Sequence, residues 1–172
     1  MRLFVAIRLS EEMKTALMET QRAMRARGMR GSFSPAENLH LTLAFIGEYP
    51  DAQPVLDALS QVRFTPFPLT LDGVGRFGDL WWAGLRDSIP LAAVARRVRR
   101  ALAGGNIPFD RKRFSPHVTL LRRASGDAAG ISAEPAEMTV YEISLMRSDR
   151  GRNGMIYTEL AAVEAVRSGE ED

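Results

Sequence analysis

The stretch Asn38-Leu39-His40-Leu41-Thr42-Leu43-Ala44-Phe45-Ile46-Gly47 decides the fold. Leu39, Leu41 and Leu43 alternate with His40 and Thr42. In a strand, residues i and i+2 share a face, so the leucines enter a core while the imidazole and hydroxyl project together on the other side. The chain repeats the pattern in Ser115-Pro116-His117-Val118-Thr119-Leu120, again His-x-Thr-Leu, and it holds only 2 histidines. Ordinary composition yields both matches by chance on the order of once in 40,000. Two such strands predict facing halves around one shared cleft.

Working outward, Arg2 to Arg8 is apolar and reads as a strand. Ser10 with Glu11 and Glu12 opens a helix that runs to about Arg27 and stops at Gly28. Residues 29–37 read as a Gly/Ser/Pro loop, and Pro50-Asp51 starts a helix through about Val62. Phe67 to Val74 and Leu80 to Leu85 form a hairpin around Gly75-Arg76-Phe77-Gly78. Ile89 to Ala103 is a helix, with Leu91, Val94, Ala95, Val98, Ala101 and Leu102 on one face and Arg96, Arg97, Arg99 and Arg100 opposite. His117 to Arg122 is a strand, 125–135 a loop, and Met138 to Met146 and Met155 to Val163 two more strands. The order βαβα-ββα-βββ is α+β. Residues 1–166 read as a single domain, with an acidic, disordered tail over 167–172.

Composition narrows the chemistry. The 172 residues are 45% hydrophobic and 26% charged, as in a soluble globular protein. The absence of cysteine excludes disulfide scaffolds, thiol nucleophiles and Cys-based metal centres, and it fits a reducing cytoplasm. No apolar run reaches the roughly 18 residues of a membrane helix, and Arg8 interrupts the apolar N-terminus. Gly73-Val74-Gly75 lies inside a hairpin, so it opens no dinucleotide-binding helix. No apolar helix face is left unassigned, which predicts a monomer. The net charge is +2, and nearly all the cations are Arg, with Lys only at Lys14 and Lys112. Arginine suits bidentate phosphate contacts.

A pair of imidazoles can supply both a proton acceptor and a proton donor near neutrality. The Thr42 and Thr119 hydroxyls are uncharged donors to phosphate oxygens. In-line displacement at phosphorus needs a base on one side and an acid on the other, which His40 and His117 on opposite walls would supply. The competing readings are two satisfied structural histidines, or a metal held by two His and a carboxylate. Threonine stands at the spacing where the latter needs a ligand. Neither a metal nor a cofactor is expected. Arg122 lies five residues after His117, so regular alternation puts it on the opposite face unless the strand ends or bulges there; from the rim it still reaches a phosphate. The same alternation assigns Phe45 to the core. Trp81 and Trp82 point to opposite faces, so at most one can stack on a base. Phe4 and Tyr157 are further candidates for the cleft wall.

With these motifs the chain resembles the two-histidine (2H) phosphoesterases, specifically the RNA 2′,3′-cyclic phosphodiesterases, also known as 2′-5′ RNA ligases. The resemblance extends to Arg2-Leu3-Phe4-Val5-Ala6-Ile7, Leu80-Trp81-Trp82-Ala83-Gly84 and Phe114-Ser115-Pro116-His117. It implies two pseudo-symmetric lobes, each an antiparallel sheet with outer helices, around a central cleft. It implies opening of 2′,3′-cyclic phosphate RNA ends, tRNA halves among them, to 2′-phosphomonoesters, with His40 as proton donor and His117 as base. Thr42 and Thr119 would hold the non-bridging oxygens, and the reverse reaction would join ends through a 2′-5′ linkage. A non-catalytic binder of such ends, and an enzyme for small cyclic nucleotides, are the alternatives. The basic runs Arg111-Lys112-Arg113 and Arg122-Arg123 favour a polymer.

Overall fold

The computed structural model describes residues 1–167. The acidic tail expected over 167–172 lies, from Ser168 on, outside the described residues. Arg2–Arg8 forms β1 and Glu11–Ala26 forms α1, capped by the Ser10 hydroxyl, which accepts from Met13 N at 3.2 Å. Then come β2 (Arg30–Phe33), β3 (His40–Glu48) and α2 (Ala52–Leu59), the last capped by Asp51. They are followed by β4 (Phe67–Phe77), β5 (Leu80–Leu85) and α3 (Ile89–Gly104), capped by Ser88. The chain closes with β6 (His117–Ser125), β7 (Glu137–Val140), β8 (Glu142–Gly151) and β9 (Gly154–Glu164). Among these residues no helix is long and apolar enough to cross a membrane.

Two antiparallel sheets result, in the orders β3-β1-β8-β9 and β2-β6-β5-β4-β7. The α+β class and the two-sheet plan agree with the sequence reading. β1-α1-β3 and β5-α3-β6 are corresponding units, each with a helix between the two strands. One apolar core joins them: Val5, Leu17, Leu41, Leu59, Val98 and Leu120 belong to the same buried cluster. The burial of this cluster is the main stabilising term.

Two segments differ from the sequence reading. Residues 30–33 form a strand, β2, rather than part of a loop. They are polar and mostly exposed, and β2 exists because Ser32 and Phe33 pair with Arg122 and Leu121 at the sheet edge. The span 138–146 is not one strand. It breaks at exposed Tyr141, so that β7 pairs with β4 in one sheet and β8 with β1 in the other.

Both motif strands carry a β-bulge at the third residue after the histidine. In β3, Thr42 and Ala44 pair with Ala6 and Val5, and Leu43 is the extra residue. In β6, Thr119 and Leu121 pair with Trp82 and Trp81, and Leu120 is the extra residue. A bulge leaves backbone groups out of the ladder. Each bulge carbonyl is met by a side chain from the helix of the other unit. Gln21 of α1 donates to Leu120 O at 3.1 Å and to Ser34 O at 2.8 Å, and Arg99 Nε of α3 donates to Leu43 O at 3.3 Å.

Gln21 is 3% exposed, so its loss leaves buried acceptors short of a donor. Gln21→Met, of similar size, should therefore lower the unfolding free energy by about 1–3 kcal/mol. An unchanged Tm for this variant would show that the crossing bond contributes nothing.

Candidate active site

His40 opens β3 and His117 opens β6, and the two strands approach within 8 Å between Cα atoms. Each ring is oriented in the same way. His40 Nδ1 lies 2.7 Å from the carbonyl oxygen of Asn38, and His117 Nδ1 lies 2.7 Å from that of Ser115. A carbonyl only accepts, so Nδ1 carries the proton in both rings and Nε2 is the nitrogen without a backbone partner. His40 Nε2 lies 2.9 Å from the Thr42 hydroxyl, which donates to it while the ring is neutral. Thr119 shares the His117 face, and its hydroxyl has no partner among the described residues. The Asn38 amide donates to Met155 O at 3.0 Å, which ties the carbonyl that orients His40 to β9.

The bulges reset the alternation, and this corrects the placement of Phe45. Leu43 and Ala44 are both buried, so Phe45 comes out on the His40 face rather than in the main core. There it packs with Phe4, Ala6, Met146 and Tyr157 in a separate cluster. In β6, Leu120 and Leu121 are both buried, and Arg122 emerges on the His117 face. The bulge allowed for in the sequence reading is therefore present. The structure brings all five candidates, His40, Thr42, His117, Thr119 and Arg122, to the facing surfaces of β3 and β6.

Two aromatic rings flank each imidazole. Phe4 and Tyr157 stand 5.0 and 5.2 Å from His40, and Phe77 and Trp82 stand 5.2 and 6.4 Å from His117. Trp82 is thus the tryptophan on the cleft side, while Trp81 is buried. A side chain on Gly75 would come within 2.3 Å of the Trp82 ring, so only glycine leaves room for it. The Trp82 indole N–H is buried with no acceptor. Phe77 was read as part of a turn. It is the last residue of β4, with the turn at Gly78-Asp79, and nothing in its spacing marks it as a neighbour of His117.

Burial holds the His40 pKa below the usual imidazole value. The positive charges of Arg122 and His117 push it the same way, and the Asn38 carbonyl opposes them. His40 therefore rests neutral at pH 7, beside the Arg122 guanidinium. Among the described residues, no cluster of three His, Asp or Glu side chains is arranged to hold a metal ion. Two grooves of about 640 and 610 Å³ flank α3, and neither is lined by a histidine.

The geometry agrees with the comparisons to known proteins. A model of the 2′-5′ RNA ligase superfamily matches residues 16–152. The RNA 2′,3′-cyclic phosphodiesterase of Escherichia coli K12 is 33% identical over 168 residues, spanning 92% of this chain and 93% of that protein. The protein of the same name from Geobacillus stearothermophilus is 29% identical over 153 residues; the match takes in 81% of this chain but 49% of that longer protein. The crystal structure of E. coli LigT complexed with 3′-AMP superposes with a TM-score of 0.86 at 29% identity, covering 96% of this chain and 98% of that one. On fold and sequence, the chain belongs to the 2′-5′ RNA ligase superfamily of two-histidine phosphoesterases.

Proposed function

We propose that the protein hydrolyses RNA 2′,3′-cyclic phosphate ends to 2′-phosphomonoesters by metal-free acid–base catalysis. The observation that carries this reading is the twin imidazole arrangement. Both Nδ1 atoms are spent on carbonyls 2.7 Å away, and of the two Nε2 atoms that of His40 meets only the Thr42 hydroxyl, at 2.9 Å. The relatives named RNA 2′,3′-cyclic phosphodiesterase support the substrate class. Opposed acid and base groups also distinguish an enzyme from a binder, which needs neither.

In this reading the cyclic phosphate lies between the strands, with its non-bridging oxygens on the Thr42 and Thr119 hydroxyls and the Arg122 guanidinium. His117 Nε2 takes a proton from water as the water oxygen bonds to phosphorus in line with the 3′ oxygen. The bond from phosphorus to the 3′ oxygen breaks, and His40 gives that oxygen its Nε2 proton. One water is consumed, and the 2′ ester remains. The reverse path, with an RNA 5′-hydroxyl in place of water, makes a 2′-5′ linkage. We place the reaction in the cytoplasm, on a monomer, with RNA ends such as tRNA halves as substrates.

The depressed His40 pKa fits this role. Burial lowers it most, and phosphate binding offsets the Arg122 charge that lowers it further, so the proton arrives with the substrate. A weakly held proton is also the easier one to give to a leaving alkoxide. Binding of a 2′-phosphomonoester at neutral pH should therefore take up protons. Calorimetry in two buffers of different ionisation enthalpy will measure this uptake; a heat independent of buffer would contradict the linkage.

An RNA ending in 2′,3′-cyclic phosphate should be opened at full rate in excess EDTA, leaving the 2′ isomer. Loss of activity restored by one divalent metal would overturn the mechanism. His40→Ala and His117→Ala should each lower kcat by roughly 10²–10⁴. Removal of the acid at His40 should abolish the fall of kcat/KM at high pH, and removal of the base at His117 the fall at low pH. The double variant should be far less than additively worse. Thr42→Ala and Thr119→Ala should keep both limbs and cost about 1.5–3 kcal/mol each. A folded His117→Ala protein with near-normal turnover would refute the assignment.

A further inference from the structure

The segment 107–114 crosses from β3 to β6. Asp110 N donates to Phe45 O at 2.8 Å, and three residues after Phe114 the chain reaches His117. Between this segment and α3 lies the groove of about 610 Å³. Its walls carry Arg96, Arg99 and Arg100 from the helix and Arg111 and Arg113 from the segment. Its floor holds the half-buried rings of Phe109 and Phe114.

Two features separate this groove from an ordinary solvated helix face. The first is uncompensated charge. Among the described residues, none of Arg96, Arg100, Arg111 and Arg113 has a carboxylate partner. Arg96 and Arg100 stand at i,i+4, where like charges destabilise a helix. Five guanidinium groups around one groove repel each other until an anion enters. The second is built aromatic geometry. The Arg111 guanidinium lies 4.8 Å from the Phe109 ring centre, and that of Arg99 lies 5.8 Å from Phe114. Arg99 is fixed there by Leu43 O at 3.3 Å and Lys112 O at 2.6 Å.

A positive groove with aromatic platforms is the means by which proteins hold single-stranded nucleic acid: the cations track the phosphates and the rings stack on bases. We propose that this groove binds the single-stranded RNA on the 5′ side of the terminal nucleotide, while the cyclic phosphate sits between His40 and His117. The proposal rests on the RNA-end reading above and adds a second, non-catalytic contact with the chain. A 2′,3′-cyclic end is a 3′ end, so every further nucleotide must leave the cleft toward one side. Phe114, in the lining of this Arg-rich groove, stands three residues along the chain from His117.

The test uses Arg96→Ala/Arg100→Ala and Arg111→Ala/Arg113→Ala double variants. Arg99 is left in place because it holds the β3 bulge. Fluorescence anisotropy with a 5′-labelled single-stranded RNA ending in a 2′-phosphate reads binding without turnover. Each double variant should bind at least tenfold more weakly at moderate salt. Each should also lower the slope of log Kd against log salt by about two, roughly one per lost phosphate contact. The preference in kcat/KM for a cyclic-ended oligonucleotide over a cyclic mononucleotide should shrink by a similar factor. Unchanged RNA affinity in both variants would overturn the proposal, as would capture of polyglutamate at these residues with no loss of RNA binding. Because the anisotropy does not depend on hydrolysis, inactivity toward cyclic ends would count against the catalytic reading and leave this measurement decisive for the groove.

Discussion

Two backbone carbonyls, Leu43 O and Leu120 O, govern the geometry of the cleft. Each belongs to the extra residue of a bulge, and each is held by a side chain from the opposite unit: Arg99 of α3 for Leu43 and Gln21 of α1 for Leu120. A bulge left without such donors would strand polar backbone against the core. The helices therefore do more than cover the sheets. They cross between the units and fix the points at which the motif strands change face.

Those bulges make the two halves alike in plan and different in chemistry. Five residues after its histidine, β3 presents Phe45 and β6 presents Arg122. One wall is therefore apolar, with Phe4 and Tyr157 against His40, and it disfavours charge on that ring. The other wall brings a guanidinium. The two imidazoles make corresponding backbone bonds, and burial together with the Arg122 charge holds down the protonation of His40.

The histidines, the threonines and the faces of their strands were legible in the sequence because they follow period two within a few residues. Helix starts were equally legible: Ser10 and Asp51 are local caps. Phe45 was misplaced because strict alternation was carried through the bulge. The sign of the interruption was present, as adjacent apolar pairs Leu43-Ala44 and Leu120-Leu121 break an otherwise regular pattern. β2 and the break at Tyr141 were not legible. Each depends on a partner strand far along the chain; Gly31 within β2 and Pro35 after it mark a loop instead, and no Gly or Pro marks the break at Tyr141. Phe77 beside His117 depends on the β4–β5 register, which no spacing within β4 encodes.

The local origin of each ring's orientation has a consequence for the pair. His40 and His117 are each set by a bond to a carbonyl two residues upstream, and these bonds survive anything that leaves the strand starts intact. The distance between the rings has no such local support. No hydrogen bond joins one imidazole to the other wall among the described residues. Their separation is carried by the shared apolar core and by the crossing side chains Gln21 and Arg99. The alignment of the two imidazoles is thus a property of packing behind the strands. Substitutions there can shift one imidazole against the other while each histidine keeps its own hydrogen bonds.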